Sequence, residues 1–249
     1  MKKHFLKSLF LTFALCSSLA QAGEAEIAAA VKRLFGMQAT AVRESLIPGL
    51  YGVNTSASEV GPRLFIDKGL TIYGNYSTGY THITGPRRGQ DLSPQEAQEL
   101  FRSMLSAIPK ERLITYRFGN GVREVLLFTA YDCPICRGIE QALQQRSKDL
   151  NATVYLIPTG LHYQTDAAAR RSVQSLLCAP DRELAWQNLI LTKQAPASGN
   201  CAERADDYAY LTRAFPVKFP GFVPVAVTLA DAKIHSSVQQ QFQEIFGVR

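Results

Sequence analysis

Long apolar runs are missing beyond the first two dozen residues, and no later segment approaches the roughly 20 apolar residues a membrane helix needs. The chain after its N-terminal segment is therefore expected to be soluble. Clustered positive charge is equally scarce: no basic run exceeds a pair, as at Arg87-Arg88 and Arg170-Arg171, and acids are interspersed throughout. This pattern argues against a nucleic-acid surface. Histidines number four, and His82, His162 and His235 show no H-x-x-x-H spacing. A single C-x-x-C leaves a zinc site short of its roughly four ligands, so no metal site is expected. Internal repeats and low-complexity stretches are absent as well.

What is present begins with a basic start at Lys2, Lys3 and Lys7, an apolar stretch over 9–15, and small residues at Ala20-Gln21-Ala22. This is the pattern of a secretory signal peptide over residues 1–22, with the mature chain starting near Gly23. The rival reading, an uncleaved membrane anchor, is disfavoured by the short apolar run and the well-placed small residues. Cleavage would remove three lysines and no acid, reducing the formal charge from +6 to +3. Of five cysteines, Cys16 would leave, and Cys133, Cys136, Cys178 and Cys201 remain. An even count in an exported chain suggests two pairs, with three connectivities open.

The mature chain divides by pattern. Ile27, Ala28, Val31, Leu34 and Phe35 recur at helical spacing until Gly36. Short strands follow at 50–53, 63–66 and 70–73, the last two joined by Asp67-Lys68-Gly69, suggesting a small antiparallel sheet. Such a small unit, residues 23–89, buries a modest core, and dimerisation would help stabilise it. After the linker-like Gly85-Pro86-Arg87-Arg88-Gly89, the run Ser93-Pro94-Gln95-Glu96 carries a capping box and opens a connector helix within 90–109. Residues 110–249 then read as a mixed α/β unit. Strands are expected at 113–118 and 124–129, forming a hairpin around Gly119-Asn120-Gly121, and at 153–157 and 225–229. Helical segments are expected near 139–143, 166–177, 181–190, 202–213 and 237–246.

Cys133-Pro134-Ile135-Cys136 falls at a strand-to-helix junction. At a helix N-terminus, unpaired N–H groups and the helix dipole favour a thiolate, which makes Cys133 the candidate nucleophile. Cys136, one turn on, is placed to attack a mixed disulfide as the resolving thiol. Half a zinc site and a purely structural pair are the bland alternatives, and the exported strand–helix context argues against both. Asp132 could influence Cys133 by its charge, but the reading preferred here points it into water. Trp186, the only tryptophan, reads as core packing.

Three stretches carry a resemblance: LITYRFGNGVREVLLFTAYDCPIC, SLLCA, and PASGNC ending at Cys201. Together they resemble the bacterial periplasmic disulfide isomerases DsbC and DsbG, and LIPGLYGV and LFIDKGLTIYGN are similar to that family's dimerisation unit. The resemblance implies an α/β (α+β) fold: a thioredoxin-like domain with a helical insertion, preceded by a small α+β dimerisation domain and a linker helix. It implies a periplasmic homodimer, formed through the N-terminal domain, acting on unfolded or misoxidised exported proteins. A membrane electron donor resembling DsbD would keep the dithiol reduced, and no bound cofactor would be needed.

The resemblance also implies a structural disulfide between Cys178 and Cys201, and a cis-proline at Pro224 facing the active site, with Val223, Pro134 and Ile135 contacting substrate. Val223 stands where the isomerases carry threonine, as in DsbA-type oxidases, so isomerase or reductase work and oxidase work both remain open. A third possibility is a cleft-binding chaperone. Leu127 occupies the place of thioredoxin's buried acid, leaving proton transfer at Cys136 to water or other groups.

Overall fold

The computed structural model describes residues 14–57, 60–75 and 79–247, with side chains from residue 23 onward except at 75. The basic start and most of the apolar run of the expected signal peptide lie outside the described residues. Helix α1 (Ala14–Phe35) stops where the sequence puts Gly36, whose φ is +67° and whose N–H donates to the Lys32 carbonyl. A meander of five antiparallel strands follows: β1 (Ala41–Glu44), β2 (Leu50–Asn54), β3 (Leu64–Asp67), β4 (Ile72–Asn75) and β5 (Gly79–His82). Three of these are legible as strands in the sequence. The outer two are not, because four residues, AVRE or GYTH, are too few to carry a readable alternation. The β3–β4 turn uses Asp67, whose Oδ1 accepts from the Thr71 and Ile72 N–H groups.

Strand alternation gives this sheet two apolar faces. Tyr51, Val53, Leu64 and Ile66 pack against Ile27 and Val31 of α1. Leu50, Phe65 and Tyr80 point the other way and join a core that continues into the rest of the molecule. Helix α2 (Pro94–Ala107) has the expected cap: the Ser93 side chain accepts from the Glu96 N–H, and the Glu96 carboxylate accepts from the Ser93 N–H. It is more than a connector. Phe101, Met104 and Leu105 are buried in the shared core, with the Phe101 and Phe215 rings 5.0 Å apart.

The second sheet comprises β6 (Ile114–Arg117), β7 (Arg123–Ala130), β8 (Ala152–Thr159), β9 (Val225–Thr228) and β10 (Lys233–His235), in the order β10-β9-β7-β8-β6. Strands β7 and β8 are parallel, joined through α3 (Pro134–Gln145), and β9 and β10 run antiparallel on the other side. This is a thioredoxin-like sheet. The expected hairpin between 113–118 and 124–129 does not form, because β8 lies between the two strands. The turn is nonetheless real: it passes over the start of β8, where the Asn120 N–H donates to Asn151 Oδ1 and the Thr153 hydroxyl donates to the Gly121 carbonyl.

The helical insertion comprises α4 (Ala167–Leu177), α5 (Arg182–Thr192) and α6 (Ala205–Ala209), with a 3-10 turn over Leu211–Ala214. The single helix expected over 202–213 is broken at Tyr210. Ala205, Tyr208, Tyr210, Leu211 and Ala214 are all buried, a set no single helical stripe accommodates. The closing helix α7 (Phe242–Phe246) is likewise shorter than the expected 237–246, and β10 fills part of the preceding connection.

Candidate active site

Tyr131 and Asp132 follow the C-terminal end of the central strand β7, and Cys133 becomes the N-cap of α3, with Pro134 in its first turn. A proline there costs no helix hydrogen bond, since its missing N–H has no partner in the first turn. The Cys136 N–H donates to Cys133 Sγ at 3.2 Å, so the helix N-terminus directs a backbone donor at that sulfur. Cys133 and Cys136 are both free thiols, and Cys133 is only 5% exposed. Opposite it, the Val223–Pro224 peptide bond is cis, and the Cys133 thiol donates to the Val223 carbonyl at 3.8 Å. Four residues singled out in the sequence, Cys133, Cys136, Val223 and Pro224, thus meet at one point although some 90 positions separate the pairs.

Cys136 lies beneath Cys133, almost fully buried. Burial pushes its thiol well up from the ordinary value, and interaction with Cys133 adds to the rise. Hydrogen bonds from the Ala130 backbone and the Thr129 side chain work in the opposite direction. Thr129, buried near the end of β7, is a group the sequence does not single out. Its position beside Cys136 supplies a hydroxyl where Leu127 supplies no acid.

A second unanticipated group is Glu140 on α3, only 3% exposed. Its carboxylate accepts from Tyr116 Oη at 2.9 Å, Trp186 Nε1 at 3.0 Å and Gln144 Nε2 at 2.8 Å. Three donors replace the water that burial removes. The sequence does hold a signal, since position 140 adjoins Ile139 and follows Cys136 by four, on the helix stripe that faces inward. Trp186 is core, as its pattern suggests, and also a hydrogen-bond donor to that acid.

Asp132 does not point freely into water. Its Oδ1 accepts from the Leu161 N–H at 2.7 Å, which ties the motif to the segment after β8. That bond sets Leu161 beside the motif. Leu161 is 50% exposed, Ile135 is 56% and Phe222, next to Val223, is 57%. Between Phe222 and Leu161 runs a groove of about 570 Å³, floored by Phe128, Ile157, Phe219 and Pro220. Away from this site, Cys178 and Cys201 form a disulfide, with Cα atoms 5.4 Å apart, that joins the end of α4 to the approach to α6. Among the described residues no group of three or more His, Cys, Asp or Glu could hold a metal ion.

No protein-family description matches the chain, and no curated protein matches it either. Solved structures to which it is similar include a disulfide interchange protein from Neisseria gonorrhoeae, at 22% identity and a TM-score of 0.43, covering 55% of this chain and 96% of that one. Another is ScsC of Proteus mirabilis in a transitional conformation, at 17% identity and 0.42, covering 60% and 76%. DsbG of Helicobacter pylori matches at 11% identity and 0.38, covering 82% and 99%.

Proposed function

We propose that the protein is a thiol–disulfide oxidoreductase of the bacterial periplasm, acting from its reduced dithiol as an isomerase or reductase of exported proteins. The observation that carries this reading is Cys133 at the N-terminus of α3, with the Cys136 N–H on its sulfur and the Val223 carbonyl opposite. The Cys133 thiolate attacks one sulfur of a client disulfide, forming a mixed disulfide and releasing the other client sulfur as a thiolate. If a different client thiolate then attacks the mixed disulfide, the client disulfide moves and no net electrons flow. If Cys136 attacks instead, the client leaves with both thiols, and two electrons have passed from the protein, which now holds a Cys133–Cys136 disulfide. The raised Cys136 thiol must first lose its proton, and the Ala130 backbone and the Thr129 hydroxyl are the nearby groups that favour the thiolate.

The apolar collar of Ile135, Leu161 and Phe222 suits unfolded rather than folded clients, which offer exposed apolar side chains. Homodimerisation through residues 23–89, export by residues 1–22 and re-reduction by a membrane donor resembling DsbD belong to the same proposal. A second reading, a thiol oxidase, draws support from the backbone donor on Cys133, because a stabilised thiolate makes the corresponding disulfide more oxidising.

Cys136→Ala should accumulate mixed disulfides with exported proteins through Cys133, seen as thiol-sensitive high-mass species on non-reducing gels, and Cys133→Ser should abolish them. Absence of such adducts would overturn thiol exchange altogether. Thiol trapping in cells then separates the two readings: a mostly reduced pair supports isomerase or reductase work, a mostly oxidised pair supports the oxidase.

A further inference from the structure

Apart from the dithiol and its groove, one feature left without a role is a cleft of about 700 Å³ between the first sheet and the helical insertion. One wall is formed by β1 and β2, with Arg43 and Glu44. The other is formed by α4 and α6, with Arg170, Arg171, Arg204, Asp206 and Asp207. The carboxylates in it are already engaged. Glu44 Oε1 accepts from the Gly49 N–H at 2.6 Å, Asp206 Oδ1 accepts from Tyr163 Oη at 2.7 Å, and Asp207 is paired with Arg204 at 2.5 Å. Arg170 Nη1 donates to the Tyr163 and Gln164 carbonyls.

That leaves two guanidinium groups, Arg43 on one wall and Arg171 on the other, in no ion pair or side-chain hydrogen bond among the described residues. Each is exposed, and a guanidinium presents five donors in a planar fork suited to a carboxylate. Two uncommitted cations on facing walls are the charge complement of a ligand carrying more than one carboxylate.

The cleft does not stand alone. Tyr163 and Tyr210, whose rings meet edge to face at 5.7 Å, line both this cleft and the apolar groove that reaches Phe222 and Val223. The Tyr210 hydroxyl is buried in that shared wall with no hydrogen-bond partner. The groove therefore adjoins Cys133 through Val223, whose carbonyl faces the Cys133 sulfur, and it shares the wall formed by the two tyrosines with the arginine-bearing cleft. We propose that this cleft binds an acidic segment of the client polypeptide, while the client's cysteine sits at Cys133 and intervening apolar residues occupy the groove. The substrate class is thereby narrowed to unfolded exported chains with carboxylates near the reacting disulfide. This rests on the oxidoreductase reading for its purpose, though not for the binding itself.

The test is fluorescence anisotropy of the full mature chain, in its Cys133→Ser/Cys136→Ser form, with a labelled, cysteine-free peptide that joins an apolar stretch to a run of glutamates. Binding should weaken about tenfold or more when glutamines replace the glutamates, and similarly in Arg43→Glu/Arg171→Glu, and it should fall as salt rises. Arg43→Gln/Arg171→Gln provides a gentler variant if charge reversal disturbs folding, checked by near-ultraviolet circular dichroism.

Equal binding of the two peptides, or unchanged binding in a correctly folded arginine variant, would overturn the proposal. So would full displacement of the peptide by inorganic phosphate at a matched concentration of anionic groups, which would make the cleft a small-anion site. Reduction of a small neutral disulfide by the wild-type chain reports the redox centre separately. Peptide binding without that activity defeats the oxidoreductase reading alone, and activity without peptide binding defeats the cleft alone.

Discussion

At the scale of single residues, buried polar groups mark where this molecule departs from a simple core. Glu140 holds three donors from Tyr116, Gln144 and Trp186, and so couples α3 to β6 and α5. Glu140→Ala would leave the Tyr116 hydroxyl and the Trp186 indole N–H buried without an acceptor, at about 1–3 kcal/mol for each unsatisfied group. A fall in the denaturant midpoint should show it, accompanied by a red shift of Trp186 fluorescence.

His235 makes a second prediction. It is buried beside the Thr228 hydroxyl, and burial holds its imidazole below the ordinary value, with Lys233 adding to the effect. The folded state thus prefers neutral His235, while the unfolded chain takes up its proton at the ordinary value. Its stabilising contribution is present above that ordinary value, near 6.5, and is lost as pH falls from there through the lower folded value. Urea midpoints measured from pH 7 downward should decline over that interval, and His235→Gln should flatten the decline.

At the scale of elements, patterns that depend on neighbouring residues were readable from the chain alone. The Ser93–Glu96 capping box, Pro134 in the first turn of α3 and the stop at Gly36 all appear where the sequence puts them. Each is a local hydrogen-bond or dihedral requirement. The β6–β7 hairpin fails for the complementary reason, since turn chemistry at Gly119-Asn120-Gly121 sets a reversal but not which strand lies alongside. Strand β7 is apolar on both faces and takes the parallel partner delivered by α3, leaving β6 to pair on β8's far edge.

The Cys178–Cys201 disulfide belongs to this scale as well. It closes a loop with a sequence separation of 23, around α5. Replacing both cysteines with alanine should lower stability by about 3 kcal/mol in the loop-entropy account. Calorimetry should register this as a lower melting temperature, with the Cys133 thiol still reactive in the folded variant.

At the scale of the whole molecule, the two sheets share one core rather than being strung on a connector. Phe65 and Tyr80 from the first sheet join Phe101, Phe128 and Phe215, and Tyr80 Oη donates to the Ala214 carbonyl at 2.7 Å. Gly61 sits at this junction with φ at +79°, and a Cβ there would lie 2.3 Å from Tyr210 Cδ2. Gly61→Ala should therefore destabilise the chain by about 1–3 kcal/mol, through overpacking and the left-handed backbone. Increased binding of a hydrophobic dye would place the damage at the junction, whereas an unchanged melting temperature would contradict the close approach.

The sequence by itself determined the local devices and the placement of the C-x-x-C motif at a strand-to-helix junction, because caps, turns and that junction need only residues a few positions apart. It also yielded Cys178 with Cys201 and Pro224 opposite Cys133, through resemblance rather than spacing. Tertiary structure alone decided that β8 separates β6 from β7, that Glu140 finds its donors on β6 and α5, that Thr129 lies against Cys136, and that Arg43 and Arg171 line one cleft. The physical reason is that hydrogen-bond satisfaction of a buried acid, desolvation of a thiol and the meeting of two cations at one cleft are properties of the space between elements. No run of neighbouring residues encodes that space.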